Sequence, residues 1–124
     1  MMLLSGHNIL VVEDEPLVLF DICQHLRSLG AYVTSAYRLP EALQFAGAPG
    51  LTAAILDHKL SSADTSAVCA ILERRQIPFV VYTGYPNLHG ACSKGELIQK
   101  PASVETLVAA MMAAIAKAPS APMH

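Results

Sequence analysis

The chain has 124 residues, a formal charge of -2 and a hydrophobic fraction of 53%. That length suits one domain burying roughly two-thirds of its unfolded surface, and the weak negative charge with no Lys/Arg run argues against a nucleic-acid partner. No apolar run approaches the ~20 residues of a spanning helix, and Met1 to Leu4 has neither the basic flank nor the length of a secretory signal, so a cytoplasmic protein with no membrane partner is expected.

The first apolar run, Ile9 to Val12, reads as a strand and ends on Glu13 and Asp14. Pro16 suits a first helical turn, and Val18, Ile22, Leu26 and Leu29 recur at helical spacing until Gly30 closes the pattern. Ala31 to Ser35 is a short second strand, followed by a helix around Glu41 to Gly47 and a Pro49-Gly50 turn. Ala53 to Leu56 is the third strand and ends on Asp57. Asp64 or Ser66 can cap the next helix, which carries Val68, Ile71 and Leu72. Phe79 to Tyr82 runs into Thr83. The segment from Tyr85 to Glu96 contains Pro86, Gly90 and Gly95, so the fourth helix should be short or irregular. Leu97 to Gln99 leads into Lys100, Ser103 can cap a last helix, and residues 118–124 form a flexible tail.

This alternation implies one α/β domain, residues 1–124 with a core of about 7–117, built on a parallel sheet with helices on both faces. Cys23, Cys69 and Cys92 are odd in number and lack C-x-x-C spacing. The expectation is reduced, mostly buried thiols rather than a disulfide framework or a zinc site.

The carboxyl ends of parallel strands share one edge, so Glu13, Asp14, Asp57, Thr83 and Lys100 converge there. Alone, each has a plain alternative: Glu13 and Asp14 can cap the first helix, Asp57 and Thr83-Gly84 can be turns, and Lys100 can be a solvated amine. Together they suit phosphoryl transfer. The first loop has three acids and no glycine, which repels phosphate unless a cation intervenes. Like charges ~4 Å apart repel by about 4 kcal/mol at an effective dielectric near 20, so the cluster suggests a divalent metal, with Mg2+ fitting the all-oxygen donors. A carboxylate can accept a phosphoryl group, with a lysine balancing its charge and a hydroxyl bonding to it only once it is present.

At Ile9-Leu-Val-Val-Glu-Asp-Glu-Pro16, Ile55-Leu-Asp57, Val81-Tyr-Thr-Gly84 and Lys100-Pro101 the chain resembles the receiver domain of two-component response regulators. The resemblance implies a flavodoxin-like five-stranded sheet of order 2-1-3-4-5 and Asp57 as the phosphorylated residue. It assigns chemistry to Asp57, Lys100 and Thr83, magnesium to Glu13, Asp14, Asp57 and the Lys59 carbonyl, and admits a cis Lys100-Pro101 peptide. The donor it implies is a histidine kinase or histidine phosphotransfer protein. The output is an unnamed protein target, with a homodimer as one assembly open to it. Such a phosphorelay protein catalyses only its own phosphorylation and dephosphorylation and is no turnover enzyme.

Three departures from the family pattern stand out. The segment Asp57-His-Lys-Leu-Ser-Ser-Ala-Asp-Thr65 lacks the usual Met-Pro and glycine, Leu97 replaces the usual aromatic switch, and Tyr85 is bulky for its position. Tyr85 is expected to shield the phosphoryl group and slow its loss. With Leu97, the response to phosphorylation should centre on residues 83–95. Two readings remain beside the main one: a pseudo-receiver acting without phosphorylation, and the receiver fragment of a hybrid histidine kinase. A haloacid dehalogenase-type phosphatase would need a second acid where Lys59 stands.

Overall fold

The computed structural model describes residues 2–61, 63–84 and 88–118. In chain order they form β1 (Asn8–Val12), α1 (Pro16–Ser28), β2 (Tyr32–Ala36), α2 (Leu39–Ala46), β3 (Ala53–Asp57), α3 (Ser66–Arg74) and β4 (Phe79–Thr83). A 3-10 turn (Gly90–Lys94), β5 (Glu96–Gln99) and α4 (Val104–Lys117) complete the fold. The sheet is wholly parallel with order β2-β1-β3-β4-β5, as expected.

Burial explains the continuous apolar runs. Every residue of β3 and β4 is buried, whereas the edge strands β2 and β5 each carry two exposed positions. Side chains on a strand point alternately to its two faces. Leu10, Val12, Ala54, Leu56, Phe79 and Val81 therefore pack with α2 and α3, while Ile9, Val11, Ala53, Ile55, Val80 and Tyr82 pack with α1 and α4.

Helix ends follow local chemistry. Ser103 Oγ accepts the Thr106 N–H at 3.1 Å, as expected of a cap. The N-cap position of α3 is Thr65 rather than the expected Asp64 or Ser66, but Asp64 Oδ1 accepts the Ser66 N–H at 3.0 Å, and that bond holds the Asp64 carboxyl below its usual range. By contrast, Glu13 and Asp14 do not cap α1, whose N-cap position is Glu15 with no side-chain bond. Among the described residues between β4 and β5, the irregular helix expected there is the 3-10 turn Gly90–Lys94. Gly90 enters it at φ 70°, and a Cβ on Gly95 would lie 2.5 Å from the Phe79 ring, so neither position readily accepts a side chain.

The cysteines depart from expectation. Cys69 on α3 and Cys92 in the 3-10 turn form a disulfide, and Cys23 is a buried free thiol. Sequence spacing gave no hint of the pair because packing of the turn against α3, not proximity along the chain, brings the two together. Among the described residues no helix is long and apolar enough to cross a membrane.

Candidate phosphoryl-transfer site

Period-two alternation carries the site beyond the strand ends. Glu13 continues the face of Ile9 and Val11, Asp57 that of Ala53 and Ile55, and Lys100 that of Ile98, all toward α1 and α4. Tyr82 lies on the same face and is in register with Asp57. Across β1, β3, β4 and β5 the sheet thus presents Glu13, Asp57, Tyr82 and Lys100 in sequence. Asp14 stands just beyond, in the loop to α1.

The structure gathers these groups closely. One carboxylate oxygen from each of Glu13, Asp14 and Asp57 lies within 4.8 Å of the others. Lys100 Nζ donates to Asp57 Oδ2 at 3.0 Å, and the Lys59 backbone N–H donates to Asp57 Oδ1 at 3.3 Å. Glu13 and Asp57 are buried, whereas Asp14 is half-buried. Burial and then the adjacent Asp57 carboxylate push the Glu13 carboxyl up to about 8. Asp14 is held below the usual carboxylate range, chiefly by a hydrogen bond from Ser61.

This donor set fits a hard divalent cation. All the side-chain donors are carboxylate oxygens, and Glu13 Oε2 is buried with no hydrogen-bond partner in the protein. Without a cation, Glu13 resists ionising beside two other acids; with one, its charge is balanced. Lys59 lines a cleft of about 580 Å³ together with Asp14, Asp57, Ser61, Thr83 and Lys100.

Thr83 ends β4, is buried, and accepts the Lys100 N–H through its carbonyl at 2.7 Å. The Lys100-Pro101 peptide is cis. Leu97 lies on edge strand β5 and is 37% exposed. Tyr85 lies outside the described residues.

No protein-family model and no curated protein matches the chain. Solved structures do. The receiver domain of a sensor histidine kinase from Pseudomonas aeruginosa, with magnesium in its active-site cleft, superposes with a TM-score of 0.74 at 25% identity, covering 91% of this chain and 100% of that one. A response regulator from Burkholderia pseudomallei, with a phosphorylated aspartic acid and calcium, gives 0.73 at 24% identity, covering 90% of this chain and 69% of that one. The signal receiver domain of an HD domain-containing protein from Pseudomonas fluorescens gives 0.76 at 20% identity, covering 90% and 96%. This is the receiver fold of two-component response regulators.

Within the receiver fold, two residues near the site escaped the sequence reading. Ser61 donates both its backbone N–H, at 2.6 Å, and its hydroxyl to Asp14 Oδ2, so the atypical segment after Asp57 folds back to hold the acidic loop. No local pattern signals a contact between residues so far apart in the chain. Tyr82 was detectable, since its parity matches Asp57, but its aromatic ring reads as one more apolar residue of β4. Its hydroxyl is buried and faces the Glu13 carboxyl, and Lys100 Nζ sits 5.1 Å from its ring centroid. Burial, followed by the charges of Glu13 and Asp57, keeps this phenol protonated and therefore a donor.

Tyr82→Phe should weaken magnesium binding several-fold, because the hydroxyl that faces the Glu13 carboxyl is lost. Calorimetric titration measures the affinity. An unchanged magnesium affinity would contradict this role.

Proposed function

We propose that the protein is a phosphoacceptor of a two-component phosphorelay, with Asp57 taking a phosphoryl group from a phosphohistidine. The observation that carries this reading is the placement of Asp57 between the Lys100 ammonium, 3.0 Å away, and the acidic pair Glu13 and Asp14. The Asp57 carboxylate attacks phosphorus in line; a P–O bond forms as the P–N bond breaks, and its electron pair stays on the donor imidazole. Lys100 follows the negative charge onto the phosphoryl oxygens, and Thr83 bonds one of them, drawing the end of β4 toward the site. A magnesium ion held by Glu13, Asp14, Asp57 and the Lys59 carbonyl would supply the remaining positive charge.

On this reading the protein is no turnover enzyme. A histidine kinase or histidine phosphotransfer protein supplies the phosphoryl group, and a protein target reads the altered surface. The receiver domain of a sensor histidine kinase among the structural neighbours supports a donor of that kind. The test is incubation with acetyl phosphate and magnesium, followed by peptide mapping. Hydroxylamine-sensitive label on the peptide containing Asp57 is expected; absence of label, together with failure to bind beryllofluoride, would overturn the reading in favour of a phosphorylation-independent interaction module.

Lys100→Ala should lower the initial labelling rate by about 10²-fold, the usual loss when one preorganised charge is removed. Its effect on stability should be small, about 1 kcal/mol or less, because the Lys100 side chain is 40% exposed and its pairing is screened by water. Intact-protein mass spectrometry over time measures the rate. A change below about threefold would place Lys100 outside the reacting group's reach.

A further inference from the structure

We propose that Cys69 and Cys92 form a reversible thiol–disulfide site that sets how freely the segment after β4 can move. The bond joins α3 to the 3-10 turn, with Cα atoms 5.0 Å apart in space and the residues 23 positions apart in sequence. That spacing is within the ordinary disulfide range, so the two backbones already stand where a bond can form or open without rearrangement. Both residues are fully buried in the cluster that holds Val81, Leu72 and Val68, packed by Leu88 and Ala91.

Position makes the bond consequential. The covalent loop from Cys69 to Cys92 encloses β4 and Thr83, and Thr83 follows Val81 on the face toward α3. Cys92 lies in a five-residue 3-10 turn, flanked by Gly90 at φ 70° and by Gly95. So short a turn opens more readily than the helix carrying Cys69, which makes Cys92 the thiol that meets a reagent first.

The chemistry is thiol–disulfide exchange with a low-molecular-weight disulfide. The Cys92 thiolate attacks one sulfur of the reagent and expels a thiolate, forming a mixed disulfide. The Cys69 thiolate then attacks the Cys92 sulfur, the protein bond forms, and a second small thiolate leaves. Two electrons pass from the protein to the reagent, and the two protons of the cysteine thiols end on two small thiols; excess thiol reverses each step.

Closing the bond ties the turn to α3. On the phosphoacceptor reading, on which this last consequence rests, it restrains the segment that must respond when Thr83 engages a phosphoryl group.

The full chain equilibrated in glutathione buffers of graded thiol-to-disulfide ratio, acid-quenched, alkylated and peptide-mapped, tests the proposal. A Cys69–Cys92-linked peptide should grow with the disulfide fraction and vanish in excess thiol. In the linked form, amide exchange over residues 90–95 should slow about tenfold relative to the reduced form. Cys92→Ala should exchange like reduced wild type at every ratio, and Cys23→Ala, which keeps the pair, should titrate like wild type. No linked peptide at the most oxidising ratio, pairing through Cys23 instead, or equal exchange in linked and reduced forms would overturn the site or its mechanical role. None of these readouts involves phosphate, so failure to label Asp57 leaves them intact. If both hold, beryllofluoride should change exchange over residues 90–95 in reduced protein and much less in oxidised protein.

Discussion

Asp57→Asn should lose all hydroxylamine-sensitive label, a fall of at least about 10³-fold, while remaining folded. The amide keeps the shape of the carboxylate, but its single oxygen can accept only one of the two donors, the Lys59 N–H or the Lys100 ammonium, that the structure places on separate oxygens of Asp57. It lacks the anionic oxygen that must attack phosphorus. Two stability effects oppose each other: Lys100 loses a charged partner, and Glu13 loses a neighbouring carboxylate that raises its pKa. The melting temperature should therefore move by only a few degrees. Acid-stable, hydroxylamine-sensitive label retained on Asp57→Asn would place the acceptor on another carboxylate.

Asp14→Ala should eliminate saturable magnesium binding and, with it, labelling of Asp57. Asp14 is held in its ionised form by Ser61, whose bonds keep its carboxyl below the usual range. Glu13, raised to about 8, largely keeps its proton at neutral pH until a cation displaces it. Magnesium binding therefore releases a proton, and affinity should tighten by roughly tenfold per pH unit below pH 8 and level off above it. Glu13→Gln should flatten that dependence. The sign for folding runs the other way. A carboxyl whose folded pKa is raised from 4.5 to about 8 binds more protons folded than unfolded across that window, so metal-free stability is full below it and declines as pH rises through it. Titrations at several pH values, and melts with and without EDTA, measure both slopes. Labelling that survives EDTA or Asp14→Ala would remove the metal from the mechanism.

The sequence determined the sheet and the identity of most of the candidate site. Apolar runs on β1, β3 and β4 report strands buried on both faces, and acids, a hydroxyl and an amine at successive strand ends stand out because burial tolerates such groups only where they act together. Parity along β4 puts Tyr82 on the face of Asp57, but an aromatic ring in an apolar run conceals its hydroxyl, and only the register of β3 with β4 sets the two side by side. Tertiary structure alone decided the rest. The contact of Ser61 with Asp14 spans 47 positions, and the pairing of Cys69 with Cys92 depends on how the segment after β4 packs on α3. Neither leaves a local signature, because no short-range periodicity records which loop meets which helix. The raised pKa of Glu13 arises for the same reason: an acid becomes hard to ionise only when the folded chain withdraws water from it and sets a second carboxylate alongside.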